Sequence, residues 1–367
     1  MTTTVKLRRG RWTWANHPLS TRREASENVY TYSYSFSRLV EAGLIARDHF
    51  LRFQERTGLA DFFWRVTFRR GTGAQTRQAS NRLSRAEGFV VFMHGWDGSG
   101  LIWENLPAQV CAANARLVCL TPDLNGFGHS PFLESGMPRI GHCTPRANML
   151  AVEYWLRLAG LFQPDGRQLF TFVGHSMSGA SLFYKSQIDW EPSRYARLAL
   201  APALLNNDVM KKGFYQLLGV GIGTGLGYTF LDRFKDKLAP GVVKGLISGA
   251  SQAVKNEHER IFATTAKGTL AQTFFAMGLA EEHPVQQRTW SRFRVIFGHR
   301  DRLVSLNLAL ELMAQLGLQS ENVRVLLGDH YFFSVGQRTR RLHGPNRRAV
   351  LQEILELHRA NAQACGR

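Results

Sequence analysis

The stretch Leu169-Phe-Thr-Phe-Val-Gly174-His175-Ser176-Met177-Ser178-Gly179-Ala180 constrains this chain more than any other. Aromatic and β-branched residues run into Gly-x-Ser-x-Gly and then into Ala180-Ser-Leu-Phe-Tyr-Lys, which suits a helix. That order predicts a strand, a turn too tight for side chains at its flanks, and a helix N-terminus. Gly174 and Gly179 leave room for strand and helix to cross closely. Ser176 is then presented in a strained turn at the top of a sheet, with the N–H of Met177 able to face a developing negative charge.

The pattern around this stretch is a regular alternation. Short apolar runs at 89–93, 116–123, 169–173, 197–201, 293–297 and 323–327 read as buried strands. Helical sequence separates them, strongest over 144–161, again at about 303–316, and last from near Pro345. Buried strands alternating with helices predict an α/β fold whose mostly parallel sheet is covered by helices on both faces. Residues 86–205 and 291–367 are read as the two parts of this core. Residues 206–290, too long for a simple connection, are read as a helical lid or cap.

In such sheets function gathers at the carboxyl ends of the strands, and the polar residues lie there. The first of these runs ends in His94-Gly-Trp-Asp-Gly-Ser-Gly100 and the second in Asp123-Leu-Asn-Gly-Phe-Gly-His-Ser130. The third ends in Ser176, the fifth in Gly298-His-Arg-Asp301 and the sixth in Gly328-Asp-His330. A serine hydroxyl needs an adjacent base, itself oriented by an acid, to act as a nucleophile. Ser176 is therefore the expected nucleophile, His330 the general base and then acid, and Asp301 the group that orients the imidazole. Asp208 is the competing acid. Trp96 and Met177 would offer backbone N–H groups to the oxyanion, and His94, Gly95, Gly174 and Gly179 would support these loops. His129, His142 and His299 lack metal-ligand spacing, and the mechanism requires no cofactor.

Taken together, His94-Gly95 with its glycine-rich loop, 123–130, 174–179, 298–301 and 328–330 resemble the α/β-hydrolase superfamily over residues 86 to 335. The resemblance implies that fold, a Ser-Asp-His triad in this chain order, and serine esterase or lipase-like activity. Ser178 departs from it where many relatives carry a second glycine, and Asn125 where a proline is common. Relatives that open epoxides or remove halogen carry an aspartate where Ser176 stands, so acyl chemistry on esters is expected, with thioester or carbon–carbon bond hydrolysis, or an inactive binding protein, as alternatives.

Residues 214–231 of the insertion are free of charge, with lysines before and Asp232-Arg233 after. The run is long enough for a membrane span, but its glycines thin it, and Gly219, Gly223 and Gly227 would form one small-residue stripe on a helix. It is expected to cover an apolar acyl pocket, with contact to lipid open. Residues 1–85 are read as a basic N-terminal extension of unknown role, joined by a polar linker over 71–87. The chain carries a net charge of +18. Residues 1–85 hold 16 Lys/Arg against 6 Asp/Glu and residues 333–367 hold 7 against 2. Basic ends suit a peripheral contact with an acidic or membrane surface. No zinc-finger or RNA-binding signature accompanies them, so nucleic acid is not expected. Four scattered cysteines and a start without an apolar h-region point to a cytoplasmic chain without disulfides.

Overall fold

The computed structural model describes residues 12–23, 28–70, 79–162, 168–184, 194–247, 249–279, 291–335 and 340–366. Among the described residues nine strands form one sheet: β1 (Ser20–Arg23), β2 (Val29–Ser35), β3 (Phe63–Arg69), β4 (Gly88–Met93), β5 (Leu117–Pro122), β6 (Leu169–His175), β7 (Tyr195–Leu200), β8 (Phe293–Gly298) and β9 (Val323–Leu326). Their spatial order is β1-β2-β3-β5-β4-β6-β7-β8-β9. The pairs from β5 to β9 are parallel, and β1, β2 and β3 add antiparallel pairs on the β5 side.

Strand side chains alternate between two buried faces, which is why the runs are apolar throughout. Phe89, Val91 and Met93 pack into one core and Val90 and Phe92 into the other. The helices between the strands are α1 (Phe36–Glu41), α2 (Arg47–Thr57), α3 (Ala79–Ser84), α4 (Leu106–Ala113), α5 (Ile140–Cys143), α6 (Pro145–Leu158) and α7 (Met177–Ser181). After β7 come α8 (Val209–Gly223), α9 (Gly225–Leu246), α10 (Gln252–Thr264) and α11 (Lys267–Met277), and then α12 (Leu306–Gln315) and α13 (Arg340–Ala364). Trp155 and Leu156 of α6 and Met313 of α12 fill one core; Val110 of α4 and Val350 and Ile354 of α13 fill the other. Helix α13 starts earlier than expected, so Pro345 lies inside it.

The first 85 residues differ from the sequence expectation of an extension: they supply three strands of the sheet. Trp64 on β3 is fully buried among Trp14, Tyr34, Phe36 and Trp155 of α6, with ring centroids 5.0–5.7 Å apart. The indole N–H groups of Trp12 and Trp14 donate to Gly160 O and Ala159 O at 3.1 and 3.0 Å. Tyr30, Tyr32 and Tyr34 alternate along β2, with Tyr32 and Tyr34 in the core. Residues 71–78 of the expected linker lie outside the described residues, and 79–84 form α3.

The uncharged run at 214–231 is not one helix. Thr224, at φ −99° and ψ 154°, ends α8, and α9 begins at Gly225. The glycine stripe is cut there: Gly219 packs against α11, where a Cβ would meet Phe275 and the Ala271 carbonyl, whereas Gly227 lies on α9 against Gly221. Among the described residues no helix is long and apolar enough to cross a membrane. Cys111 and Cys119 lie with sulfurs 3.4 Å apart as free thiols.

Trp64→Ala should lower the stability of the whole protein by about 3–5 kcal/mol, as for other large buried aromatics. Chemical denaturation checks this. One shifted transition is expected; an unchanged main transition would mean that the first three strands are not part of the core.

Candidate active site

Ser176 caps α7 with φ 53° and ψ −117°. A non-glycine residue holds such a backbone at a cost of order 1–3 kcal/mol and needs its surroundings to impose it. Here a Cβ at Gly174 would strike the Ser178 carbonyl, and one at Gly179 would lie 3.0 Å from Pro202 Cα. Two hydrogen bonds pin the turn: Ser176 N–H donates to Leu200 O at 2.9 Å and Ala203 N–H to Ser176 O at 3.0 Å. Ser178 has a use of its own, since its hydroxyl donates to His94 O and accepts from Asn148 Nδ2 at 3.0 Å. That bond ties the serine turn to the loop after β4.

His330 and Asp301 are brought together by the ends of β8 and β9. Arg300 N–H donates to Gly328 O at 2.7 Å, so the two loops run side by side. His330 Nδ1 lies 2.7 Å from Asp301 Oδ2. The other oxygen, Oδ1, accepts from the N–H groups of Leu303 and Val304 at 2.8 and 3.0 Å. Burial would raise the Asp301 pKa, but the adjacent imidazole and these donors hold its carboxyl below its ordinary value. A carboxylate held ionised beside Nδ1 fixes the proton on that nitrogen and leaves Nε2 as an acceptor. His330 Nε2 has no hydrogen-bond partner among the described residues, and His330 and Ser176 line one cavity. Asp208 is occupied elsewhere. It caps α8 by accepting from Lys211 N–H at 3.0 Å and also accepts from the Ser305 hydroxyl. Asp329 turns back on Tyr331 N–H.

The loop after β4 passes against the serine: a Cβ on Gly95 would sit 2.9 Å from Ser176 Cβ. Trp96 lines the cavity from this loop, its indole N–H donating to Thr273 Oγ1 at 2.9 Å. Met177 opens α7, where a backbone N–H has no partner inside the helix. His94 holds the loop, its Nδ1 against Gly95 O and its Nε2 accepting from Leu124 N–H, both at 2.7 Å. His175 donates from Nε2 to His330 O at 3.0 Å. Burial pushes the His94 imidazole down to about 4 and that of His175 well below its ordinary value. Asp123 accepts from Arg65 of β3 at 2.9 Å, from Gly100 N–H and from His129. Burial works against its ionised form, but Arg65, His129, His94 and the Gly100 N–H together outweigh it and hold the carboxyl far below its ordinary value.

The cavity is about 570 Å³ including its mouth. Its walls are mostly apolar, with Ala203, Leu303 and Val304 from the core and Tyr215, Val243, Ile247, Phe274 and Met277 from α8 to α11 and the end of α9. Three polar lining residues escaped the sequence reading. Asp97 Oδ2 lies 3.6 Å from His258 Nδ1, and His258 Nε2 lies 2.7 Å from the Tyr331 hydroxyl. Burial pushes the Asp97 carboxyl up to about 6. Asp97 sits inside the glycine-rich loop and was legible as a neighbour of Trp96. Nothing in the sequence marks His258, a lone histidine in an amphipathic helix. Among the described residues no cluster of His, Cys, Asp and Glu could hold a metal ion.

Residues 90–341 match the sequence family described as the alpha/beta hydrolase family. The chain belongs to that family. Solved structures show the same fold. A thermophilic esterase from Thermogutta terrifontis is 16% identical at a TM-score of 0.51, covering 82% of this chain and 94% of that one. A bromoperoxidase from Bacillus anthracis is 17% identical at 0.54, covering 81% and 95%. An enol-lactonase from Burkholderia xenovorans LB400 is 16% identical at 0.53, covering 82% and 96%. At such identities the likeness is one of fold. No curated protein gives a significant sequence match.

The buried groups set the response of this hydrolase to acid. His94, at about 4 when folded against 6.5 as a free side chain, contributes stability that is fully present above pH 6.5 and lost as pH falls towards 4. His175 acts in the same direction. Asp97, raised from 3.8 to about 6, acts oppositely and takes up a proton in the folded state over that range. Melting temperature should therefore fall between pH 6.5 and 4, and fall more steeply in Asp97→Asn, which lacks the offset. Thermal melts across this range check the slope; a shallower profile in the variant would contradict the assignment.

Proposed function

We propose that this alpha/beta hydrolase is a serine carboxylic-ester hydrolase that works through an acyl-enzyme on Ser176. The observation that carries the reading is the arrangement of His330, bonded through Nδ1 to an ionised Asp301 and presenting an unpartnered Nε2, in the same cavity as a serine on a strained turn.

In the proposed reaction Ser176 Oγ attacks the ester carbonyl carbon as its proton passes to His330 Nε2. The positive charge that this places on the imidazole is balanced by Asp301, 2.7 Å away. The negative charge on the carbonyl oxygen is met by the backbone N–H groups of Trp96 and Met177, which need no reorganisation because the β4 loop and the start of α7 are fixed. Collapse of the tetrahedral intermediate breaks the ester bond, and His330 returns its proton to the departing alkoxide as alcohol. Water then attacks the acyl-enzyme, giving its proton to the same nitrogen, and as the second intermediate collapses His330 returns that proton to Ser176 Oγ and the acid leaves. His94 and His175, kept neutral by burial, position the loops without taking part in the proton transfer.

The walls supply the substrate class. Phe274, Met277, Val243, Ile247 and Tyr215 favour an apolar acyl or alcohol group, each methylene buried being worth about 0.8 kcal/mol. Helices α8 to α11 act in this reading as the cap that chooses the substrate.

With p-nitrophenyl esters of increasing chain length, kcat/KM should rise from acetate to medium chains. Ser176→Ala should lower kcat by roughly 10⁴-fold or more, leaving only the residual rate that binding and the oxyanion donors supply. Turnover of acetate alone would sink the apolar-pocket claim, and serine-independent turnover would sink the mechanism.

A further inference from the structure

The insertion carries a surface that the catalytic reading does not use. On α8, successive residues are about 100° apart around the axis. Val209, Val220, Gly213, Leu217, Met210, Gly221 and Phe214 fall, in that angular order, within an arc of about 140°. No charged or polar side chain interrupts it. A surface helix normally turns such an arc to the core and its polar side to water. Here the order is inverted. Val209, Met210, Phe214, Leu217 and Val220 are 48–84% exposed, while Tyr215 and Gly219 on the other side are buried against α11. On α9, Phe230 is a further exposed apolar residue, at 53%, and shares a face with the exposed Arg233 and Lys237 at the i+3 and i+7 positions.

Charge identifies the occupant. Residues 209–246 contain six Lys/Arg against two Asp, in a chain of net charge +18. At the start of α8, Lys211 Nζ donates to the carbonyl of Arg302, so the exposed Arg300 and Arg302 lie at that end of the stripe. A second copy would bring like charge against like and is disfavoured by its own field. A surface apolar just below an anionic layer matches both the stripe and its cationic surroundings.

We propose that the α8 face is a membrane-docking surface, which lays the helix in the plane of an anionic lipid leaflet with Met210, Phe214 and Leu217 inserted among the acyl chains. Tyr215, on the opposite side of the same helix, lines the cavity, so docking sets the cavity roof one helix thickness from the bilayer. Docking itself does not rest on the ester-hydrolase reading.

The test is co-sedimentation of the full chain with vesicles of phosphatidylcholine alone and of phosphatidylcholine mixed with phosphatidylglycerol. Wild type should bind the mixed vesicles, less well as salt rises, and bind the neutral ones far less. The variant Phe214→Glu/Leu217→Glu alters only exposed side chains and should keep its melting temperature while its partition falls about tenfold or more. Arg22→Glu/Arg23→Glu, on the exposed strand β1, should leave more binding than the α8 variant does. The proposal is overturned if wild type ignores anionic vesicles or if the α8 variant binds as well as wild type. It is equally overturned if sedimentation velocity shows a dimer that the α8 variant dissolves, because the face would then be covered by a second copy.

Discussion

Backbone packed against backbone at the crossing of β6 and α7 is the constraint on which the site depends. Because residues 174 and 179 have no Cβ, the strand can end and the helix begin within a single residue, and that residue is Ser176 at φ 53°. The strain of that conformation is held by bonds to the end of β7 and to the loop after it. Ser178 extends the same constraint sideways. Its hydroxyl fastens the turn to His94 O, and His94 fastens the β4 loop to Leu124 beyond β5. Three strand ends are thus tied around one hydroxyl before any substrate is present, which is what preorganised stabilisation of a transition state requires.

A second layer of support comes from residues far away in sequence. Asp123 sits at zero exposure where the loops after β4 and β5 meet, and its charge is matched by Arg65 from β3. An unpaired buried carboxylate there would cost several kcal/mol, so the antiparallel strands are tied to the electrostatics of the site as well as to the core. The same economy appears in His330, whose carbonyl anchors His175 while its ring faces Asp301.

Much of this was legible in the sequence, for physical reasons. Fully buried strands such as 89–93 and 169–173 must be apolar on both faces, and Gly174, Gly179, Ser176, Asp301 and His330 stand at turns where a residue type has few alternatives. What escaped notice was decided by packing between distant segments. The alternation Tyr30, Tyr32, Tyr34 is the signature of a strand with one face buried, but nothing in it says that the partner is β3 or that Trp64 completes the core. The polar string Asp97–His258–Tyr331 joins a loop, a helix of the insertion and the residue after His330, three places that only the fold makes adjacent. In the uncharged run at 214–231 the single glycine stripe does not form because the chain turns at Thr224, and hydropathy, which counts residues without regard to direction, does not tell that α8 faces its apolar arc outward.

The central claim is that Ser176, His330 and Asp301 act as one unit, and phosphonylation of the serine by a fluorophosphonate, followed by intact-mass and peptide mass spectrometry, tests it most directly. The account predicts one adduct, on Ser176. It further predicts that Asp301→Asn slows the labelling by roughly 10³–10⁴-fold, as loss of the orienting acid does in other triads, while Asp208→Asn, which keeps a helix-capping side chain, labels at the wild-type rate. No adduct on Ser176, or a loss of labelling in Asp208→Asn with Asp301→Asn unaffected, would contradict it.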